Sequence, residues 1–588
     1  MNEQYRTHTC GELREEHIGQ TAKLSGWVAT IRSHGGVIFV DLRDHYGLTQ
    51  LVLHDESLLK GVTRETVICA EGVVVKRDEE TVNPKLATGM VELHAGSLTV
   101  LSAPPAFLPI EVGNSDSVRE EMRLKYRYLD LRGPRMQHNL KFRAAFIRAL
   151  RENMEKLGFL EVHTPILTAS SPEGARDYLV PSRKFKGKFY ALPQAPQMFK
   201  QMLMLSGIDR YYQIAPCFRD EDARYDRSPG EFYQLDFEMA FATQEDVMEV
   251  TETVLFNVFT QFASEDITYI SKPPFRRIPY REAMLRYGSD KPDLRNPLLI
   301  EDLSEFFADV EFKPFRGRPV RGINAPGGAL QPRAFFEQML KFAESIGMQG
   351  LGYISRKPDP VNSAWMFAGP IGKYLSEEKK FELVDIFDMQ VDDTVFFICD
   401  RPGMCDKLAG QIRTELGNRL GLVDKTRFEF CYITDMPMFE IDENTKKLGF
   451  SHNPFSMPQG GMEALMTQAP LDILAYQYDI VLNGVELSSG AVRNHVPEIM
   501  VKAFEIAGYS EEDLKARFGA MYTAFQHGAP PHAGMAPGVE RMVMLLLGEA
   551  NIREVTAFPL NGSAQDTMMG APGGVSEQQL RDVHIRVR

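Results

Sequence analysis

Between Tyr211 and Ala240 the chain reads YYQIAPCFRDEDARYDRSPGEFYQLDFEMA, two strand-like runs joined by a charged loop. In the second run Tyr233, Leu235, Phe237 and Met239 alternate with Gln234, Asp236 and Glu238. Period-two alternation assigns one set to a core and the other to an open face. Plain packing gives no reason to gather an amide and two carboxylates there. In the first run Arg219 shares a face with Gln213, Ala215 and Cys217, whose small members leave room beside a guanidinium. A pleated floor with one fixed arginine and several acids suits a nucleotide with its metal ions. The competing reading is the solvated face of an antiparallel sheet.

Other residues of the right types follow in chain order. The polar loop Ser170–Asp177 carries Glu173 and Asp177, which can face a cationic group, with Gly174 as a hinge. Gln197 and Lys200 lie one helical turn apart, hence on one face. Asp479 and Glu486 bracket an apolar run, and Arg493 follows in Glu486-Leu-Ser-Ser-Gly-Ala-Val-Arg493. Gly534 to Gly548 is a glycine-rich lead into an apolar helix, with Gly538 and Arg541 at its mouth. Backbone N–H groups and a guanidinium can meet phosphate there. No G-x-x-x-x-G-K-[ST] run occurs, which excludes a P-loop NTPase. The six cysteines form no C-x-x-C pair, so neither a zinc site nor a disulfide framework is indicated.

These residues need several domains to hold them, since 588 residues exceed a single core. Residues 1–104 read as all-β: short apolar runs at 24–28, 37–42, 48–53, 67–68 with 73–75, 91–93 and 98–101 are punctuated by glycine and aspartate. Five or so strands of this kind suit a small OB-type barrel. On it Arg32, Phe39 and Gln50 can stack on and hydrogen-bond unpaired bases, although the strand pattern alone places Phe39 in the core as readily. His17-Ile-Gly-Gln20 imitates a signature of ATP-using enzymes built on a different fold, but neither the strand–helix unit nor the second motif of those enzymes follows. Prolines mark a linker over 105–136. A helix with its stripe on Leu140, Ala144, Ile147, Leu150, Met154 and Leu157 follows, then a short strand ending at Pro165. Composition changes over 295–425, with helical stretches near 332–346 and 402–420, and indicates an inserted α+β domain. The main domain resumes over 426–558, and 559–588 is a C-terminal extension. The net charge of −14, with 10 Lys+Arg against 14 Asp+Glu in residues 1–104, leaves any nucleic-acid binding to local patches and stacking. No signal peptide or membrane-spanning run is found, and a reducing cytoplasm is expected.

In sequence order, a helix–strand ending in Pro165, a strand pair carrying Phe218-Arg219-Asp220-Glu221 and a glycine-rich helix carrying Gly538-Val539-Glu540-Arg541 resemble the three signature motifs of class II aminoacyl-tRNA synthetases. Arg123-Leu-Lys-Tyr-Arg-Tyr-Leu-Asp-Leu-Arg132, Pro172-Glu-Gly-Ala-Arg-Asp-Tyr-Leu-Val-Pro181, Tyr287-Gly-Ser-Asp-Lys-Pro-Asp-Leu-Arg295 and Pro531-His-Ala-Gly534 sharpen the resemblance to the bacterial-type aspartyl-tRNA synthetase family over essentially the whole chain. The resemblance implies an antiparallel sheet flanked by helices and a homodimer. It implies Arg219, Asp220, Glu221, Glu486 and the Gly538–Arg541 run at ATP, with Arg219 on the α-phosphate and Arg541 on the γ-phosphate, and Mg²⁺ on Asp479 and Glu486. Glu173 and Asp236 would face the amino group of L-aspartate. Lys200, Arg493 and His452, with Gln197 nearby, would surround its side-chain carboxylate. Arg32, Phe39 and Gln50 would meet the anticodon.

The implied reaction makes an aspartyl-adenylate and passes the aspartyl group to tRNA-Asp. His34 stands where members strict for tRNA-Asp usually carry leucine, so charging of tRNA-Asn as well is expected, with a separate amidotransferase as partner. Two positions depart from the family pattern: Ser228 stands where glutamine is frequent, putting an adenine contact in doubt, and Ala491 removes a serine. The alternatives are strict tRNA-Asp specificity, an asparaginyl or lysyl enzyme, and a non-catalytic RNA-binding paralogue.

Overall fold

The computed structural model describes residues 4–105, 107–170, 175–227, 229–359, 365–442 and 445–587. They form two compact units that part between His138 and Asn139.

In the first unit β1 (Thr21–His34), β2 (Val37–Arg43), β3 (Leu48–Leu53), β4 (Val67–Lys76) and β5 (Val91–Ser102) close a barrel in the order β1-β2-β3-β5-β4. The separate runs at 67–68 and 73–75 are one strand, as are 91–93 and 98–101. A bulge at Glu71/Gly72 breaks the apolar alternation, and Gly72 passes so close to the His94 carbonyl that a side chain would not fit. Ile38, Val40 and Leu42 point into the barrel core, whereas Phe39 is half-buried on the outward set. His34 is the last residue of β1, not part of a loop. It pairs with Val37 across a tight two-residue turn in which Gly35 and Gly36 both take positive φ. The expected linker is partly structured: short helices Glu120–Lys125 and Arg127–Asp130 bury an ion cluster in which Arg123 and Arg127 both hold Asp130.

The second unit is built on an eight-stranded sheet. Its strands are β6 (Leu160–Glu161), β7 (Arg210–Arg219), β8 (Gly230–Ala240), β9 (Arg276–Pro279), β15 (Phe430–Thr434), β16 (Gln477–Leu482), β17 (Val485–Val492) and β18 (His532–Met535). The order is β9-β15-β16-β17-β18-β8-β7-β6. The six inner strands are antiparallel, as expected. The edge pairs β9/β15 and β7/β6 are parallel, so the sheet is mixed. Helices α1 (Pro134–Lys156), α3 (Gln244–Phe262) and α6 (Val539–Leu547) share one core with Leu235, Phe237, Met239, Tyr478 and Ile480 of the sheet. In α1 the buried face is set by Phe146, Ala149, Leu150 and Met154, and Ala144 is exposed. Ile147, Leu150, Met154 and Leu157 of the expected stripe face this core, and Phe142 and Phe146, which pack edge-on against Phe262, widen the face while Ala144 falls outside it.

Between β9 and β15 lies a separate five-stranded sheet: β10 (Ile300–Asp302), β11 (Val320–Ala325), β12 (Gly352–Pro358), β13 (Trp365–Ala368) and β14 (Thr394–Cys399), in the order β10-β11-β14-β12-β13. Helices α4 (Arg333–Ser345) and α5 (Met404–Arg419) cover one face, and a phenylalanine cluster around Phe307, Phe315 and Phe397 fills the other.

The side of the large sheet opposite α3 carries the polar members of β8, and β18 runs directly beside them. A Cβ on Gly534 would collide with the Glu238 carboxylate and the Phe237 carbonyl. Gly534→Ala is therefore expected to destabilise the second unit by about 1–3 kcal/mol, the usual cost of overpacking. A lowered denaturation midpoint, read by tyrosine fluorescence, checks it.

Candidate active site

The polar side of the sheet floors a cleft of about 1170 Å³. Its deepest part is a set of four buried charges. The Lys200 ammonium, on α2 (Gln197–Leu205), donates to Asp236 Oδ2 at 2.9 Å and lies 3.2 Å from Glu238 Oε2. Arg493, just past β17, holds Glu238 with a fork of Nε to Oε1 at 2.7 Å and Nη2 to Oε2 at 3.0 Å. All four side chains are at most 3% exposed. Burial alone would raise the Glu238 pKa, but Arg493 and Lys200 overcome it and hold the carboxyl at about 2. For Asp236 burial prevails over Lys200 and the pKa moves up. Two buried atoms here have no protein partner: Asp236 Oδ1 and Gln197 Nε2. Arg493 Nη1 also keeps clear of the fork. Behind the set, His532 meets Gln201 Oε1 at 3.2 Å, and burial lowers its pKa to about 4.

Toward the mouth stand two arginines anchored by backbone carbonyls. Arg219 ends β7, anchors Nε on the Gln194 carbonyl at 3.3 Å and lies 5.0 Å over the Phe232 ring. Among the described residues no carboxylate reaches it within 4.0 Å. Arg541, in the first turn of α6, is fixed by carbonyls, with Nη1 on Glu486 O at 2.7 Å and Nε on Asp226 O at 3.2 Å. The carboxylates of Asp226 and Glu486 stand back at 3.7 and 3.9 Å. Backbone anchoring orients a guanidinium without consuming its charge, which is the condition for receiving an anion.

Asp479 and Glu486 come together on neighbouring strands. Asp479 is buried, its Oδ1 has no partner, and burial together with the Glu486 charge pushes its pKa up to about 8. Lys291 bonds Glu486 at 3.2 Å and Asp290 at 2.9 Å, and burial, which would lower its pKa, is outweighed by those acids. An unsatisfied carboxylate oxygen beside a second carboxylate fits an oxygen-ligated divalent cation such as Mg²⁺. Among the described residues no group of three or more His, Cys, Asp or Glu has metal-holding geometry, and a Mg²⁺ ion commonly completes its shell with water or substrate oxygens.

Most of the expected residues converge on this cleft: Gln197, Lys200, Arg219, Glu221, Asp236, His452, Glu486, Arg493, Gly538, Glu540 and Arg541 line it. Several of the expected residues are also engaged elsewhere, or lie off the cleft. Asp220 is not among the lining residues; its backbone N–H is bonded to the Arg176 carbonyl. The Val539 side chain belongs to the hydrophobic core. Glu540 is held by Arg143 at 2.5 Å and accepts the Tyr233 N–H at 2.9 Å, a tie between α6 and the sheet. Glu221 is engaged by Arg227 at 2.8 Å. Glu173 and Ser228 lie outside the described residues. Glu238 and Lys291 were not singled out for roles. The alternation of β8 already placed Glu238 beside Asp236, whereas nothing local distinguishes Lys291 from a surface lysine.

On the barrel, Arg32 binds Asp41 through Nη2 at 2.8 and 3.0 Å and Gln50 Oε1 at 3.2 Å, and Gln50 donates to Glu92 at 2.9 Å. Arg32 pairs with Phe39 in register, and His34 is exposed on the same side of β1 as Arg32. The outer face thus presents an aromatic ring beside preorganised donors and acceptors.

Comparison with known proteins places this architecture. The family model "tRNA synthetases class II (D, K and N)" matches residues 119–562, and the "OB-fold nucleic acid binding domain" model matches residues 22–101. The chain is 55% identical over 592 residues to a protein of Zymomonas mobilis named Aspartate--tRNA(Asp/Asn) ligase, covering 99% of this chain and 98% of that one. It is 53% identical over 593 residues to a protein of the same name from Ehrlichia canis, covering 99% of both. Among solved structures, asparaginyl-tRNA synthetase from Pyrococcus horikoshii complexed with asparaginyl-adenylate superposes with a TM-score of 0.57 at 20% identity, over 94% of this chain and 97% of that one. Aspartyl tRNA synthetase from Entamoeba histolytica superposes with a TM-score of 0.54 at 19% identity, over 94% and 90%. These two carry the fold alone. A barrel ahead of a class II sheet, a cleft ringed by the motif residues and full-length identity above half together show that the chain belongs to the class II tRNA synthetases of the D, K and N group.

Proposed function

We propose that the protein activates L-aspartate with ATP and transfers it to tRNA-Asp and also to tRNA-Asn. The observation that carries this reading is the buried set Lys200–Asp236–Glu238–Arg493, which leaves Asp236 Oδ1, Gln197 Nε2 and Arg493 Nη1 for a ligand. An α-ammonium satisfies Asp236, and a side-chain carboxylate satisfies Lys200 and Arg493. Asparagine in that place would offer Lys200 and Arg493 a neutral carbonyl in place of a carboxylate, a weaker acceptor for a charged donor. Lysine would set like charges together. The name Aspartate--tRNA(Asp/Asn) ligase on relatives at 53–55% identity agrees.

The aspartate α-carboxylate is already ionised, so its in-line attack on the ATP α-phosphorus needs no general base. The bond to pyrophosphate breaks as the acyl–phosphate bond forms, and the tRNA terminal hydroxyl then displaces AMP. Positioning and charge neutralisation supply the catalysis. Arg219 is placed for the α-phosphate and Arg541 for the γ-phosphate. Asp479 and Glu486 would hold Mg²⁺, which spreads phosphate charge when bound. On the barrel, Arg32, Phe39 and Gln50 are the candidates for anticodon bases. Exposed Leu160, Ile166 and Leu167 around the parallel edge strand β6 support a homodimer formed at that edge. A product mischarged on tRNA-Asn would require an amidotransferase partner, and the work belongs in the cytoplasm. No helix among the described residues is long and apolar enough to cross a membrane.

ATP–pyrophosphate exchange with Asp, Asn, Lys and Glu tests the substrate: aspartate alone should support it, and absence of exchange with every amino acid would favour the non-catalytic paralogue. Arg219→Ala should cut aspartate-dependent exchange by roughly 10²–10³-fold, the usual loss of one preorganised transition-state contact, in a protein with unchanged circular dichroism. His34→Leu should lower aminoacylation of tRNA-Asn transcripts by about tenfold or more relative to tRNA-Asp, since one base contact is worth about 1–3 kcal/mol. If the parent enzyme charges tRNA-Asn more than about a thousandfold less efficiently than tRNA-Asp, dual specificity fails. Acid stability follows from Glu238. Its folded pKa of about 2 lies below the unfolded value of about 4.3, so the stabilisation is complete above that value and is lost as pH falls toward 2. Its size is on the order of 3 kcal/mol, and Glu238→Gln should flatten this part of a stability-against-pH curve.

A further inference from the structure

Between Asp177 and Asp209 this acidic chain contains no Asp or Glu, and within that stretch Arg183-Lys184-Phe185-Lys186-Gly187-Lys188 places four cations in six positions. The segment is the turn of a hairpin whose strands are Leu179–Pro181 and Phe189–Ala191. Every residue from Arg183 to Tyr190 is exposed. None of the four cationic side chains has an ion-pair or hydrogen-bond partner among the described residues. Other surface cations of the second unit do find carboxylates, as Arg277 does with Glu245 and Lys515 with Glu511. Unpaired clustering of like charge costs self-repulsion, so the turn is poised for an external anion.

The turn is also rigid. Ser182 N–H donates to Lys188 O at 2.9 Å, Phe185 N–H to Ser182 Oγ at 3.1 Å, and Lys188 N–H to Phe185 O at 3.1 Å, with Gly187 at φ +73° closing the bend. The C-terminal segment supports it from outside, with His584 Nε2 bonded to the Arg183 carbonyl at 3.3 Å. Between the cations Phe185 is 58% exposed, and Phe189 is 48% exposed beside them. Cations interleaved with open aromatic rings on a fixed scaffold match the chemistry of an RNA strand: phosphates for the cations, an unpaired base for a ring.

Its place in the chain says which part of an RNA. The strand Phe189–Ala191 bonds Thr168 through Ala191 and runs directly into Pro193-Gln194. The Gln194 carbonyl anchors Arg219 at the cleft. Lys188 is six chain steps from Gln194, so it lies within roughly 20–22 Å of this residue at the cleft, at about 3.3–3.6 Å per residue. We propose that Arg183, Lys184, Lys186 and Lys188 grip the phosphate backbone of the tRNA near its 3′ end and that Phe185 stacks on an unpaired nucleotide there. This rests on the tRNA-charging reading above. The contact is to backbone, so it serves tRNA-Asp and tRNA-Asn alike.

The test is the full-length variant Arg183→Gln/Lys184→Gln/Lys186→Gln/Lys188→Gln, with Phe185→Ala made separately. Binding of both tRNA transcripts is measured from about 50 to 200 mM salt, alongside aminoacylation and ATP–pyrophosphate exchange. The fourfold variant should keep aspartate-dependent exchange within twofold. It should raise KM for both tRNAs by tenfold or more and flatten the log–log salt slope by about two to four, close to one per lost phosphate contact. Phe185→Ala should raise KM for tRNA and leave that slope alone. An unchanged salt slope and KM with normal exchange overturns the proposal while leaving the charging reading intact, whereas absent exchange in the parent protein overturns the charging reading itself. A variant that sediments as a smaller species than the parent, with tRNA affinity restored at high protein concentration, would make the turn a contact between copies of the chain and equally overturn the proposal.

Discussion

The Glu238 carboxylate is fully buried and survives there only because Arg493 grips both its oxygens and Lys200 closes on one of them. Removing either cation would leave a buried charge uncompensated, a loss of the order of 3–5 kcal/mol. The consequence is geometric. Glu238 is on β8, Arg493 just past β17 and Lys200 on α2, while β18 runs between β8 and β17. The ion pairs therefore fix three chain segments that are far apart in sequence. β18 can lie between them only because Gly534 has no side chain to push the carboxylate away. A buried ion network is poor as a source of net stability, but it fixes a unique register, and here the register places the ligand-facing atoms.

The same economy appears at the cleft mouth. Arg219 and Arg541 are oriented by the carbonyls of Gln194, Glu486 and Asp226, dipoles that align a guanidinium and leave most of its charge unspent. The deep set is neutral in sum, with two cations against two anions, and at the mouth Arg219 has no carboxylate within 4.0 Å among the described residues while Arg541 has those of Asp226 and Glu486 at 3.7 and 3.9 Å. A zwitterionic ligand with an added carboxylate fits the first and a polyphosphate the second. Two half-sites with different electrostatics can thus share one pocket without competing for each other's ligand.

Much of this was legible in the residues themselves. The period-two pattern of β8 separated core from cleft for every residue between Tyr233 and Met239. The short, glycine-punctuated runs of residues 1–104 identified the barrel, because both signals are local and steric. The stripe of α1 is right at Ile147, Leu150, Met154 and Leu157 and wrong at Ala144, since periodicity counts positions and ignores that a phenylalanine buries more area than an alanine. The parallel edges of the large sheet were missed because strand direction is decided by partners distant in sequence. Function inside the motif runs was harder still. Glu540 and Val539 sit in a run that the family resemblance puts at ATP, but a helix turns each successive side chain by about 100°, so neighbours of Arg541 end in the core or in a strut to Arg143.

Charge shows the limit most clearly. The formal charge of −14 argues against nucleic acid, and the barrel is acidic in sum. Bulk charge averages over a surface many Debye lengths across, whereas a phosphate feels only what lies within about 8–10 Å at ordinary salt. What matters is which cations are left unpaired. In the barrel Arg32 is already committed to Asp41 and Gln50, so a base arriving there must exchange one hydrogen-bond partner for another and gains selectivity more than affinity. A protein of this balance resists non-specific binding to polyanions through its net charge. On the proposed reading it would still take a particular RNA through exchangeable hydrogen bonds on the barrel and the uncommitted cations of the turn over residues 183–188.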